Sequence, residues 1–301
     1  GWTGSKTFSD ICADPGKHAK FTKNAMKLID EYDLDGIDLD WEFPGKKGAN
    51  NSFSPSDAEN LSSLVKFMRK AMDDKYKRRK LLTASVPAHP YTNAKGEKMR
   101  DLSSFASSFH FINIMGYSLM GAWSDYTGPN APLYTSEISR YSLEQAVREW
   151  TAAKFPPNQI NAGFAFFGSI QRSQDGMSSN IYAKANKVAG LDNPLAKIDC
   201  ENDAYSADVF SYACLRRRIL ASPNEADPES GFSLNWDSAS QTPWLYHSKT
   251  KRFVSFDNPK SIAAKRCLAR KHNLLGVMLW DITQDHKNEL LNAATADIKC
   301  P

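Results

Sequence analysis

Five short apolar strands recur along the chain, and helix-period segments lead into four of them. Residues 17 to 32 run into Gly36-Ile37-Asp38-Leu39-Asp40-Trp41, and Leu61 to Met72 into Leu81-Leu82-Thr83-Ala84-Ser85-Val86. Phe111-Ile112-Asn113-Ile114-Met115 follows. Leu143 to Lys154 then leads into Ile160 to Phe164, and Ile262 to Lys271 into Leu274 to Trp280, with a short closing helix around Asn288 to Ala294. A strand reaches a parallel neighbour only through a crossover, so this rhythm specifies an α/β sheet covered by helices. On the first helix, Ala19, Phe21, Ala25, Leu28, Ile29 and Tyr32 form the expected apolar stripe. Between about Ile170 and Pro259 the rhythm breaks. Gly231 to Trp236, Trp244 to Tyr246 and Arg252 to Phe256 there read as antiparallel strands of an insertion.

Composition agrees with a large packed core: 301 residues, 41% hydrophobic and 24% charged, exclude disorder as the main state. A net charge of +4 from 38 basic and 34 acidic residues is too thinly spread for a dedicated nucleic-acid binder. No stretch approaches the roughly 20 apolar residues of a membrane span, and no signal segment opens the chain. The five cysteines, Cys12, Cys200, Cys214, Cys267 and Cys300, show no C-x-x-C spacing, and their odd number leaves at least one unpaired. Their count leaves open an oxidising or a reducing compartment. Asn50 and Asn60 each begin an N-glycosylation acceptor pattern, which is compatible with secretion.

The most informative segment is Asp35-Gly36-Ile37-Asp38-Leu39-Asp40-Trp41-Glu42. On a strand, Asp38, Asp40 and Glu42 share one face while Leu39 and Trp41 take the other. Buried inside a parallel sheet, such a row costs several kcal/mol per carboxylate unless it is protonated, bonded or paired, so stability alone does not favour it. An exposed edge strand with a solvated acidic face is the alternative, and the flanking parallel pattern argues against it. A calcium loop fails on spacing, because Ile37 and Asp38 follow where an acid and then Gly are needed. At the C-terminal mouth of the sheet the row titrates as a coupled unit, and a carboxyl kept protonated near neutrality can act as general acid.

These acids resemble the Asp-x-x-Asp-x-Asp-x-Glu signature of family 18 glycoside hydrolases, the chitinases, at Asp35, Asp38, Asp40 and Glu42. The resemblance continues through Gly1-Trp2, Ser85-Val86-Pro87-Ala88, Asn113 to Tyr117, Gly128 to Leu133 and Met278-Leu279-Trp280, and looks fungal-type. It implies a (β/α)8 barrel with a small α+β insertion between strands seven and eight. The chain then holds strands four to eight and the exit of three, the earlier strands being absent from it. The implied division is 1–169 catalytic barrel, 170–259 the region of the insertion, and 260–301 the closing segment.

The same resemblance implies a reaction in which the substrate's acetamide replaces the enzyme nucleophile. Glu42 would protonate the leaving oxygen, Asp40 would hold the acetamide N–H, and Asp38 would share a proton with Asp40. Tyr117 would donate to the acetamide carbonyl, Trp280 would floor the −1 sugar, and Met115 would wall the pocket. Trp2 and Trp123 match aromatic positions on the leaving-group side. Asp35 is expected to be structural. No cofactor or metal is implied. A secreted monomer is expected, acting on chitin or chito-oligosaccharides, with neither nucleic acid nor membrane as partner. Ser118 and Ser169 stand where many members carry Asp and Arg, and Phe167 where Tyr is frequent. Those departures keep two alternatives in view: a non-catalytic chitin-binding lectin, and an endo-β-N-acetylglucosaminidase acting on N-glycans.

Overall fold

The computed structural model describes residues 1–77, 79–178, 180–186, 204–206, 208–297 and 299–300. In chain order its strands are β1 (Gly36–Asp40), β2 (Leu81–Val86), β3 (Phe111–Ile114), β4 (Ile160–Ala165), β5 (Phe167–Arg172), β6 (Ala204–Ser206) and β7 (Val209–Ser211). They continue as β8 (Leu220–Ser222), β9 (Glu225–Ala226), β10 (Ser233–Asp237), β11 (Thr242–His247), β12 (Arg252–Ser255) and β13 (Gly276–Trp280). The helices are α1 (Phe8–Cys12), α2 (Pro15–Tyr32), α3 (Asp57–Tyr76), α4 (Ser103–Ala106), α5 (Leu143–Ala152), α6 (Tyr212–Arg218), α7 (Pro259–Lys271) and α8 (Glu289–Thr295). One sheet has the order β1-β2-β3-β4-β13, a second β10-β11-β12-β5-β7-β6, and β8 pairs with β9. The five strands of the first sheet are those anticipated from the sequence, and the insertion between β4 and β13 is antiparallel as expected. The chain divides into two compact units: Gly1–Met115 with Ala146–Asn161 and His272–Gly276, and the remainder.

In the first unit β1, β2 and β3 pair in parallel, with Asp38 opposite Thr83, Asp40 opposite Ser85 and Ser85 opposite Asn113. Gly36 opens β1 because a Cβ there would lie 2.1 Å from the Leu81 carbonyl oxygen. Helix α2 starts on Asp14, whose side chain accepts from the Gly16 N–H, with Pro15 at its first position, and ends on Asp33 in the left-handed region. Its buried stripe is His18, Thr22, Ala25 and Ile29, so Ala25 and Ile29 fall where expected while Ala19, Leu28 and Tyr32 are exposed. The ring of His18 can take that inward position because Nε2 lies 3.0 Å from the Cys12 carbonyl oxygen. Helix α3 buries Leu61, Leu64, Val65, Met68 and Met72, each such side chain stabilising by roughly 1.5–3 kcal/mol. Cys12 is buried and free, and burial pushes its thiol up to about 12, which keeps it unreactive.

In the second unit the antiparallel sheet encloses a cluster of Ile181, Trp244, Tyr246 and Phe253. Tyr212 and Arg216 of α6 both bond Glu289 at the start of α8. The Cys267–Cys300 disulfide ties α7 to the chain that follows α8. Cys214 is also disulfide-bonded, and Cys200 lies outside the described residues. Among the described residues no helix is long and apolar enough to cross a membrane.

Candidate active site

The pleat of β1 sorts its side chains as the alternation requires. Leu39 and Trp41 are buried, with the Trp41 indole stacked on Phe8 at 5.3 Å, while Asp38 and Asp40 point the other way. The expected burial of the whole acid row needs correction, because Asp38 is exposed and only Asp40 and Glu42 are partly covered. The reason is positional: β1 ends the sheet order with β2 as its one strand neighbour among the described residues, so no strand on its far side helps to cover Asp38. Asp38 is instead held by donors. Thr83 Oγ1 (2.6 Å) and Asn113 Nδ2 (3.3 Å) bond Oδ1, Ser85 Oγ (3.0 Å) bonds Oδ2, and Asn161 Nδ2 in turn donates to Asn113 Oδ1 at 3.0 Å. These polar partners were missed from the sequence. Their signal is the alternation Thr83-x-Ser85, with Asn113 and Asn161 at matching depth on the next strands.

Asp40 Oδ2 lies 3.3 Å from the Gly1 nitrogen, while its Oδ1 is buried with no partner among the described residues. Glu42 is half-buried. Burial first, and the neighbouring Asp40 charge second, push its carboxyl up to about 7, against the opposing pull of the Trp2 backbone N–H. A carboxyl so placed holds its proton near neutral pH, as a general acid must. Trp2 itself is 52% exposed. Met115, just past β3, is half-buried, and Asp35 is exposed outside the row.

Asp57 was also missed. It is fully buried and accepts from Ser9 Oγ (2.7 Å), the Gly45 N–H (3.0 Å) and the Ser54 N–H (2.8 Å), so it fastens the segment after Glu42 to α1. Asp57→Ala leaves three donors unmet, that of Ser9 buried and those of Gly45 and Ser54 part-buried. It is expected to lower stability by about 3 kcal/mol or more, read from urea unfolding.

The second unit carries the aromatic candidates. Tyr117 meets the edge of Phe167 at 5.6 Å between centroids, and its hydroxyl donates to Met278 Sδ at 3.9 Å. The Phe166 N–H bonds the Trp280 carbonyl oxygen at 2.8 Å, fixing the end of β13, while the Trp280 indole is 51% exposed. The Trp123 ring lies on Gly121, and buried Gln171 holds that loop through the carbonyls of Gly121 and Tyr126 and the N–H of Gly128. Ser118 sits in the left-handed region with its N–H on Asn130 Oδ1 at 3.1 Å. Ser169 is buried and its Oγ has no partner among the described residues. The structure thus brings Asp38, Asp40, Glu42 and Trp2 together in one unit and Tyr117 beside Met278 in the other. No group of three or more His, Cys, Asp and Glu suited to a metal ion occurs among the described residues.

The family model for glycosyl hydrolases family 18 matches residues 1–285. The chain belongs to that family. Within family 18, a chitinase from Rhizomucor miehei superposes with a TM-score of 0.85 at 29% identity, covering 98% of this chain and 81% of that one. The fold class is accordingly the (β/α)8 barrel, and the chemistry that of a glycosidase. A chitinase-like effector of Moniliophthora roreri is 28% identical over 97% of this family 18 chain and 74% of its own length. Chitinase A1 of Niallia circulans is 26% identical over 99% of this chain, which spans 41% of that relative.

Proposed function

We propose that this family 18 chain is a chitinase, hydrolysing β-1,4 links between N-acetylglucosamine units with retention of anomeric configuration. The observation that carries the reading is the half-buried Glu42 carboxyl, lifted to about 7 beside Asp40. In the reaction Glu42 gives its proton to the leaving glycosidic oxygen. The carbonyl oxygen of the −1 acetamide attacks its own anomeric carbon from the face opposite the leaving group, forming an oxazolinium ion; water, giving a proton to the Glu42 carboxylate, then opens that ion from the face the leaving group vacated. Asp40 receives the acetamide N–H on Oδ1, an acceptor otherwise without a donor among the described residues. Asp38, held by Thr83, Ser85 and Asn113, backs Asp40 from one residue pair deeper on the strand. Tyr117 donates to the acetamide carbonyl oxygen, Trp280 floors the sugar, Met115 walls the pocket, and Trp2 and Trp123 stack on the leaving-group side. The Cys267–Cys300 disulfide supports an oxidising, extracellular setting, in which the protein acts as a monomer on chitin or chito-oligosaccharides.

The test is early-time proton NMR of the products from a chitin hexasaccharide. The β-anomer is expected first, and α-anomer first would overturn the mechanism. The likeness to a chitinase-like effector, with Ser118 and Ser169 in place of charged residues, favours a lectin as the second reading. Oligosaccharide binding with no turnover would decide for it. Cleavage of a high-mannose glycopeptide with chitin left intact would decide for an N-glycan substrate.

A further inference from the structure

We propose that Asn51 is a positioning residue for the reaction, its side-chain amide fastening the backbone of the acid Glu42 to the loop that carries Trp2. The side chain is 3% exposed, and its Nδ2 faces two carbonyl oxygens, that of Trp2 at 3.2 Å and that of Glu42 at 3.5 Å. An amide NH2 has two hydrogens, so it can serve both acceptors at once, and neither a carboxylate nor an apolar side chain can. Asn51 ties the Trp2 carbonyl to the Glu42 carbonyl, and the Trp2 N–H on the same loop favours the ionised form of the Glu42 carboxyl. The backbone that supports Asn51 is fitted to the same purpose. Gly48, with φ +52°, lies so close that a Cβ would stand 2.2 Å from the Glu42 carbonyl oxygen and 3.2 Å from Asn51 Nδ2. The Asn51 N–H bonds the Lys47 carbonyl at 2.8 Å, and Ser52 bonds the Lys6 carbonyl through its N–H (3.1 Å) and its Oγ (2.6 Å). Proton transfer depends on sub-ångström placement of the donor, so freeing Trp2 and Glu42 from each other weakens catalysis without removing any group that touches the sugar.

This inference rests on the proposed role of Glu42, and its test separates the two. Asn51→Leu and the smaller Asn51→Ser, which cannot reach both carbonyls, are compared with the natural protein on a chromogenic chito-oligosaccharide. In both, kcat per folded molecule is expected to fall by about 10- to 100-fold with KM changed less than about threefold. The groups acting on the Glu42 carboxyl are the Asp40 charge and the Trp2 N–H. Losing the last moves the alkaline limb of the rate profile to higher pH. Carboxyl-carbon NMR of Glu42 should report the same upward shift whether or not the chain turns over substrate. A natural protein without turnover would defeat the functional reading and leave the NMR comparison to judge Asn51. Variants that unfold more easily yet keep kcat per folded molecule and an unchanged Glu42 titration would show a merely structural residue and overturn the proposal.

Discussion

Glu42→Gln is expected to lower kcat on chito-oligosaccharides by on the order of a thousandfold, with oligosaccharide binding retained. Glutamine keeps the shape and loses the transferable proton. In the natural protein the activity should decline as pH rises through about 7, where the Glu42 carboxyl gives up its proton. The same substitution has a second effect, on stability. Folding raises this carboxyl from its ordinary 4.5 to about 7, so the native state binds the proton more tightly than the unfolded chain does. The resulting stability is fully present below about 4.5 and is lost as pH rises through about 7. Above that, the ionised Glu42 costs the natural protein about 1–3 kcal/mol, allowing for its partial solvent contact. Glu42→Gln carries no such charge. It should match the natural protein in urea unfolding at pH near 4 and exceed it at pH near 8.5; an equal difference at both would show that the carboxyl is not held protonated by its surroundings.

What was legible in the sequence was local or periodic. The alternation of apolar strands and helical segments predicts β1, β2, β3, β4 and β13, because short β-branched or apolar runs recur between longer segments of helical period. The order Asp38-Leu39-Asp40-Trp41 announces which side chains face away from the helices, and Leu39 and Trp41 are indeed buried. What escaped was set by pairing across long stretches of chain. Nothing near Asp38 in sequence says that Asn113, 75 residues on, will bond it, since that depends on the register of two further strands. Asn51 and Asp57 escaped for the opposite reason. Asn51 sits in an irregular segment and Asp57 at the first position of α3, where no periodicity marks either, and most of their partners are backbone groups, which every residue has. On α2 the inward places of His18 and Thr22 went unseen because hydrophobicity alone ranks Leu28 above them, although a satisfied ring nitrogen removes most of the penalty for burying His18.

Asp40→Asn tests the neighbour through two effects that differ in their dependence on pH. The buried Oδ1 is an acceptor without a donor among the described residues, and the proposed reaction gives it the acetamide N–H as positive charge develops on the ring. An asparagine is neutral and can turn its NH2 toward that N–H, so the transition state loses both a charge-assisted bond and an electrostatic partner. A loss of kcat of about 100- to 1,000-fold is expected at every pH. The second effect acts through Glu42. The Asp40 charge is one of the two causes that raise the Glu42 carboxyl, the other being burial. Removing that charge makes Glu42 a stronger acid, so the alkaline limb of kcat/KM should move below about 7. The two substitutions around the acid therefore displace the limb in opposite directions: Asn51→Leu upward, by releasing the Trp2 N–H that favours the ionised form, and Asp40→Asn downward, by losing the charge that opposes it. A limb that stays in place in Asp40→Asn would mean that Asp40 and Glu42 do not sense each other, and a kcat within tenfold of the natural protein would remove Asp40 from the acetamide.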